Sequence, residues 1–184
     1  MVLIAQEIER LTTSYMTLDL ILKEKQDNCT MKIIPVSKNN IQTYLNLAQC
    51  YEAEFSALTH KKPDSSGIFE LDTHPGESIQ CYILTIEEIP AGIAAIAFDD
   101  AHSNEMCEFY VFPYFRKNGV GSRFAHSLWK IHPGKWEIKQ IMGAEYAAAF
   151  WCKTIAQYND TSYLQDKYLD SYWGQVTRQK FLIS

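Results

Sequence analysis

The chain has 184 residues, 47% of them hydrophobic and 13% aromatic, enough to build one well-packed domain and too apolar for a disordered segment. Its net charge of −5, from 17 basic and 22 acidic residues, argues against a general nucleic-acid binder, which carries a basic excess. Cys29, Cys50, Cys81, Cys107 and Cys152 form no C-x-x-C pair, and their odd number and wide spacing fit reduced thiols rather than a disulfide framework. Five dispersed histidines show no metal-ligand spacing. The N-terminus reaches Glu7 and Glu9 too early for a signal peptide, and no uncharged apolar run approaches a membrane span. The expectation is a cytoplasmic, soluble protein without metal, nucleic-acid or membrane partners.

Residues 1 to about 27 place Ile4, Ile8 and Leu11 on one helical face, then Leu18, Ile21 and Leu22 after a Thr-Thr-Ser break. This reads as a helical extension over 1–30, covering a core edge or a partner subunit, and the main domain runs from 31 to 184. Lys32–Val36 is a short strand. Ser37 or Asn39/Asn40 caps a helix carrying Ile41, Tyr44, Leu45, Ala48 and Phe55. His60–Gly67 and Asp72–Glu77 are loops by composition. Cys81–Ile86 and Ala91–Phe98 form a hairpin across a turn at Glu87–Pro90, and after a turn at 99–104 a third strand covers Met106–Phe112. Val120, Phe124, Ala125, Leu128 and Trp129 make a helical stripe that ends at His132-Pro133-Gly134. Lys135–Ile141 alternates as a strand, Glu145–Tyr158 is a helix, and Tyr163–Leu169 and Gln175–Ile183 are strands. The order is β-α-β-β-β-α-β-α-β-β.

The most informative stretch runs from Glu108 to Ser122. An apolar, aromatic strand stops at Pro113, turns through Arg116, Lys117 and Asn118, passes Gly119 and Gly121, and enters a helix. Two glycines let backbone approach a ligand closely, and the first helical turn presents unpaired N–H groups. With two cations beside them, these groups suit an anion such as a phosphate or pyrophosphate.

Arg-x-x-Gly-x-Gly at Arg116–Gly121, placed between a strand and a helix, resembles the acetyl-CoA motif of the GNAT superfamily of N-acetyltransferases. The element order and the Ala147-Ala148-Ala149-Phe150-Trp151 helix strengthen the likeness, which covers Met31 to the C-terminus and is closest over 106–158. It implies an α/β (α+β) fold: a mixed, mostly antiparallel sheet of six to seven strands flanked by helices, splayed between strands 4 and 5. Acetyl-CoA would lie in the opening. By resemblance, the backbone of Phe109, Tyr110 and Val111 would meet the pantetheine arm. The amides from Arg116 or Lys117 through Asn118, Gly119, Val120, Gly121 and Ser122 would hold the pyrophosphate, with Phe150 beside the arm.

The implied chemistry is transfer of an acetyl group to a primary amine of a small molecule or peptide by direct attack on the thioester. The amine must lose a proton, and Glu108 stands where family members often carry a carboxylate acting through water. The Val111 amide would meet the developing oxyanion. Two positions depart from the pattern: Ala144 where Asn is common, and Trp151 where a Tyr often protonates the leaving thiolate. They motivate an alternative reading as a CoA-binding sensor or interaction module. A nucleotide loop fits less well, lacking the Lys-Ser/Thr of a P-loop and a β-α-β context. Glu52 and Glu54, like the other acidic pairs of the chain, read as a solvated face; the resemblance sets the early helix at the acceptor site, where Tyr51, Glu52 and Glu54 would attract a cationic amine, and the N-terminal extension suggests a homodimer.

Overall fold

The computed structural model describes residues 30–98, 103–159 and 161–184; the extension expected over 1–30 lies outside them, save for Thr30. The described elements are β1 (Met31–Pro35), α1 (Ile41–Thr59), β2 (Ile79–Ile86), β3 (Ile89–Phe98), β4 (Ser103–Val111), α2 (Val120–Ile131), β5 (Gly134–Ile141), α3 (Glu145–Ala156), β6 (Tyr163–Asp170) and β7 (Gly174–Ile183). A single 3₁₀ turn, Pro113–Phe115, joins β4 to the loop before α2. The strands form one seven-stranded sheet in the order β1-β2-β3-β4-β5-β7-β6, antiparallel except for β4 against β5. Element order and sheet type match those read from the sequence.

Both faces of this sheet are covered, which explains why β2 and β3 are near-continuous apolar runs rather than alternating ones. On one face α1 lays Tyr44, Leu47 and Ala48 over Cys81, Ile83, Ile93, Ala95 and Tyr110. On the other, α2 and α3 bury Phe124, Leu128, Trp129, Trp151 and Ile155 against Leu84, Ile96, Trp136 and Phe181. Each fully buried large side chain here contributes roughly 1.5–3 kcal/mol by leaving water. The α2 stripe is the one its sequence spacing predicts: Val120, Phe124, Ala125, Leu128 and Trp129 are its buried residues.

One irregularity positions everything functional. Ala95 pairs with Glu108 while Ile96 pairs with Met106, so Cys107 is the extra residue of a bulge in β4. A bulge bends its strand and sharpens the local twist. Accordingly, β4 pairs with β5 only from Ser103 to Met106, against Lys135 to Ile138. Past the bulge β4 stays on β3, as β5 stays on β7 through Ile141. The sheet therefore opens between its fourth and fifth strands, as the resemblance implies.

Candidate active site

Among the described residues, the far half of β4 has a free edge. The Phe112 amide donates to the Ala91 carbonyl at 2.8 Å, which fixes the alternation of an antiparallel pair. Tyr110 and Glu108 share that phase and turn their backbone groups to β3. Phe109 and Val111 turn theirs to the opening. Arg116 Nε donates to the Val111 carbonyl at 2.8 Å, and its Nη2 donates to the Glu54 carboxylate at 2.6 Å. The Arg116 guanidinium thus closes back over Tyr110, 5.4 Å from its ring, and bridges the loop to α1. Its positive charge is engaged by Glu54 rather than left free for an anion on the loop amides.

The loop then runs through three consecutive left-handed residues: Lys117 (φ 76°), Asn118 (φ 52°) and Gly119 (φ 71°). Successive amides in such a turn point inward and make an anion-binding concavity at a helix N-terminus. The Arg116 amide already donates to Pro113, and the Val120 amide to Lys117. Among the described residues, the amides of Lys117, Asn118, Gly119, Gly121 and Ser122 have no protein acceptor. The Ser122 hydroxyl is committed to Thr154 at 2.9 Å, tying α2 to α3. Val120 points its side chain into the core.

The two glycines are required for different reasons. At Gly119 a Cβ would meet only the tip of Arg123, but φ of 71° is costly for any L side chain. At Gly121 a Cβ would stand 3.1 Å from the Phe150 ring, so here a side chain would crowd Phe150 and force it to shift. Phe150 stacks on Phe109 at 5.9 Å, and Trp151 meets Phe109 edge-on at 4.8 Å. Phe109, Val111, Lys117, Tyr146, Phe150 and Trp151 line a pocket of about 260 Å³ leading from the loop to the open edge. An anion bearing an extended arm fits this layout: donors at the loop, a free strand edge beside them, and the Phe109, Phe150 and Trp151 rings as walls.

On the α1 side the opening continues into adjoining cavities of about 290 and 450 Å³, which share Tyr51, Phe55, Glu105, Tyr172 and Trp173. Glu108 lies at the second of them, 4% exposed. Its Oε2 accepts from the Tyr44 hydroxyl at 3.0 Å, while Oε1 is buried with no hydrogen-bond partner. Burial pushes the Glu108 carboxyl up to about 7; the Thr73 and Tyr44 side chains hold it back in part, and Glu52 and Asp72 add to the rise. A carboxyl that titrates near neutrality beside a cavity can accept a proton at physiological pH.

Glu52, one of the acidic residues read as a solvated helix face, is in fact buried at 2% exposure. Lys61 makes that possible: its Nζ reaches Glu52 at 3.0 Å, Asp72 at 2.6 Å and the Glu70 carbonyl at 3.1 Å. A buried carboxylate is tolerable only with such a partner. Ala144 and Trp151 both line the opening, and neither side chain carries an oxygen. Of the other residues near Trp151 in sequence, Tyr158 packs on His126 and Trp129, and the Cys152 thiol faces Gln165. Tyr146 alone of these lines the opening. The hairpin tip with Tyr172 and Trp173, and the acid at Glu105, were not singled out in the sequence. A turn between two strands of mixed polarity gives no sign of what lies opposite.

No protein-family model and no curated protein matches the sequence. Solved structures do match the fold. One is the ribosomal-protein-S18-alanine N-acetyltransferase from Escherichia coli, with 11% identity and a TM-score of 0.57 over 84% of this chain and 95% of that one. Another is the ribosomal L7/L12 alpha-N-protein acetyltransferase in complex with coenzyme A, with 13% identity and a TM-score of 0.56 over 84% and 94%. A third is a spermidine/spermine N-acetyltransferase from Vibrio cholerae, with 9% identity and a TM-score of 0.54 over 83% and 92%. At such identities the likeness concerns architecture. The chain has the GNAT fold.

Proposed function

We propose that this GNAT-fold chain is an acetyl-CoA-dependent N-acetyltransferase acting on a primary amine. The observation that carries the reading is the continuity of three features: five unpaired loop amides, the free Phe109–Val111 edge, and a cavity holding Glu108. Acetyl-CoA is the cosubstrate. Its pyrophosphate would lie on the amides of Lys117, Asn118, Gly119, Gly121 and Ser122, its arm along Phe109 and Val111, and Phe150 would wall that arm. Arg116 would have to release the Val111 carbonyl, or leave it engaged and let the arm bond to the remaining groups of the edge.

The reaction forms one bond and breaks one. The amine nitrogen attacks the thioester carbonyl carbon, the C–N bond forms, the C–S bond breaks, and coenzyme A leaves as its thiolate. Glu108 takes the proton the ammonium must lose, directly or through a water. The Val111 amide stabilises the oxyanion as it develops. Tyr146 is the phenol placed on the same pocket as Phe109 and Phe150, and it could supply a proton to the thiolate where Trp151 cannot. Among the described residues no group of three metal-ligating side chains converges. A homodimer is the assembly we favour, supported by β6 as a free sheet edge carrying exposed Leu164 and Leu169.

The second reading, a CoA-binding module without turnover, draws on Ala144 and Trp151. Titration of coenzyme A into the full chain and into Gly121→Val tests the shared premise. Loss of at least tenfold in affinity with an unchanged circular dichroism spectrum is expected. Equal affinity in the two would remove the loop from the site.

A further inference from the structure

The cavities on the α1 side of the opening carry a pronounced charge asymmetry. Their lining includes the carboxylates of Glu52, Asp72, Glu105, Glu108 and Asp170, against one cationic side chain, Lys139. That cation is not free to meet a ligand anion. Its Nζ lies 2.9 Å from Glu105 and 3.2 Å from Glu137. Burial works against its charge, but these two carboxylates outweigh it and hold the ammonium well above the ordinary lysine range. Lys61, just outside the lining, is likewise engaged by Glu52 and Asp72. Five carboxylates against these two lysines still leave the cavities net negative, with Asp170 in no ion pair among the described residues and Glu108 adding charge as it ionises.

Two further observations point to a ligand rather than a solvated acidic face. Glu108 Oε1 is buried and unpartnered at this cavity. Aromatic side chains of the β6–β7 turn also line the same cavity. Asp170 Oδ1 accepts from the amides of Tyr172 and Trp173 at 2.8 and 2.9 Å, which fixes the β6–β7 turn. The two rings then stand perpendicular at 4.7 Å, with Tyr172 72% and Trp173 37% exposed. Tyr51 and Phe55 on α1, their rings tilted against each other at 4.7 Å, also line these cavities. Exposed aromatic faces beside an excess of carboxylates favour an organic cation, which gains from ring quadrupole and carboxylate together. A carboxylate on the ligand would instead meet like charge in a cavity with no available cation.

We infer that the acceptor is an organic ammonium whose reacting nitrogen is borne on an apolar or aromatic body with no carboxylate next to it. This rests on the transferase reading and narrows it: free amino acids are excluded, and simple alkyl- or arylalkylamines are favoured. The test uses phenethylamine, phenylalanine amide and phenylalanine, which share ring and amine and differ in the neighbouring group. Their dissociation constants are measured on the full chain loaded with coenzyme A, by quenching of tryptophan fluorescence or by calorimetry. Phenethylamine and the amide should bind at least tenfold more tightly than phenylalanine, and Trp173→Ala should weaken phenethylamine severalfold while coenzyme A affinity stays constant. Equal or tighter binding of phenylalanine overturns the inference. So does indifference of phenethylamine to both Trp173→Ala and Glu105→Gln. Thiol release from acetyl-CoA is followed in parallel: amines that bind in the expected order without releasing thiol support the cavity assignment and count against the transferase reading alone.

Discussion

At the residue scale, Glu108 joins the fold to the chemistry. Its carboxyl is raised from an ordinary 4.5 to about 7 because burial disfavours the charged form. A base must be ionised to act, so the rate of amine acetylation should rise with pH through about 7. Glu108→Gln should lower kcat by tenfold or more and abolish that inflection, read from kcat/KM between pH 5.5 and 9. An unchanged profile would take Glu108 out of the proton path. The same shift has a stability consequence of definite sign. A carboxyl raised on folding contributes stability fully present below about 4.5 and lost as pH passes 7, a total of about 3 kcal/mol. The wild type should therefore lose stability relative to Glu108→Gln between pH 4.5 and 7, by chemical denaturation. Gln140 offers a separate check of burial. Both its amide atoms are buried without a partner, so Gln140→Leu should raise the melting temperature by about 2–4 °C. A fall would mean that the amide has a partner in solution.

The residue scale also shows what the sequence could and could not carry. Gly119 and Gly121 were legible because loop, cation and helix start are local features. The burial of Glu108 was not: it depends on Tyr44, 64 positions earlier, and on the loop that brings Thr73 and Asp72 over it. Glu52 was misread for the same reason, since the Lys61 partner that makes a buried carboxylate tolerable comes from beyond the helix end.

At the element scale, hydrophobic period and turn chemistry located every described helix and strand, because each of these patterns is local. The β4 bulge left no such mark, being a relation between two strands. The β2–β3 turn yields a direct prediction. Ile86 pairs with Ile89, so Glu87 and Glu88 are the two loop residues, and both have positive φ (51° and 66°). That geometry suits Asn-Gly, and two glutamates pay for it in strain. Replacing the pair by Asn-Gly should stabilise the chain by about 1–2 kcal/mol in urea unfolding, less what is lost with the exposed Lys32–Glu88 ion pair. No gain would mean that the ion pair or the denatured state offsets the relief.

At the scale of the whole molecule, one defect in one strand organises the rest. The bulge ends the β4–β5 pairing, and the resulting opening is walled by α3 and the loop before α2 on one side, and by α1 and the β6–β7 tip on the other. On the acceptor side α1 and the β6–β7 tip are more than a hundred residues apart in sequence, which is why the donor loop could be read from one contiguous stretch while the acceptor side could not. No described helix is long and apolar enough to cross a membrane. The most direct test is to incubate the full chain with acetyl-CoA and phenethylamine and follow thiol release across pH, with the acetylated amine identified by mass. Amine-dependent thiol release that rises through about pH 7 is the expected result. Coenzyme A binding with no amine-dependent release at any pH, for this or any other amine tried, would contradict the transferase and leave a binding module.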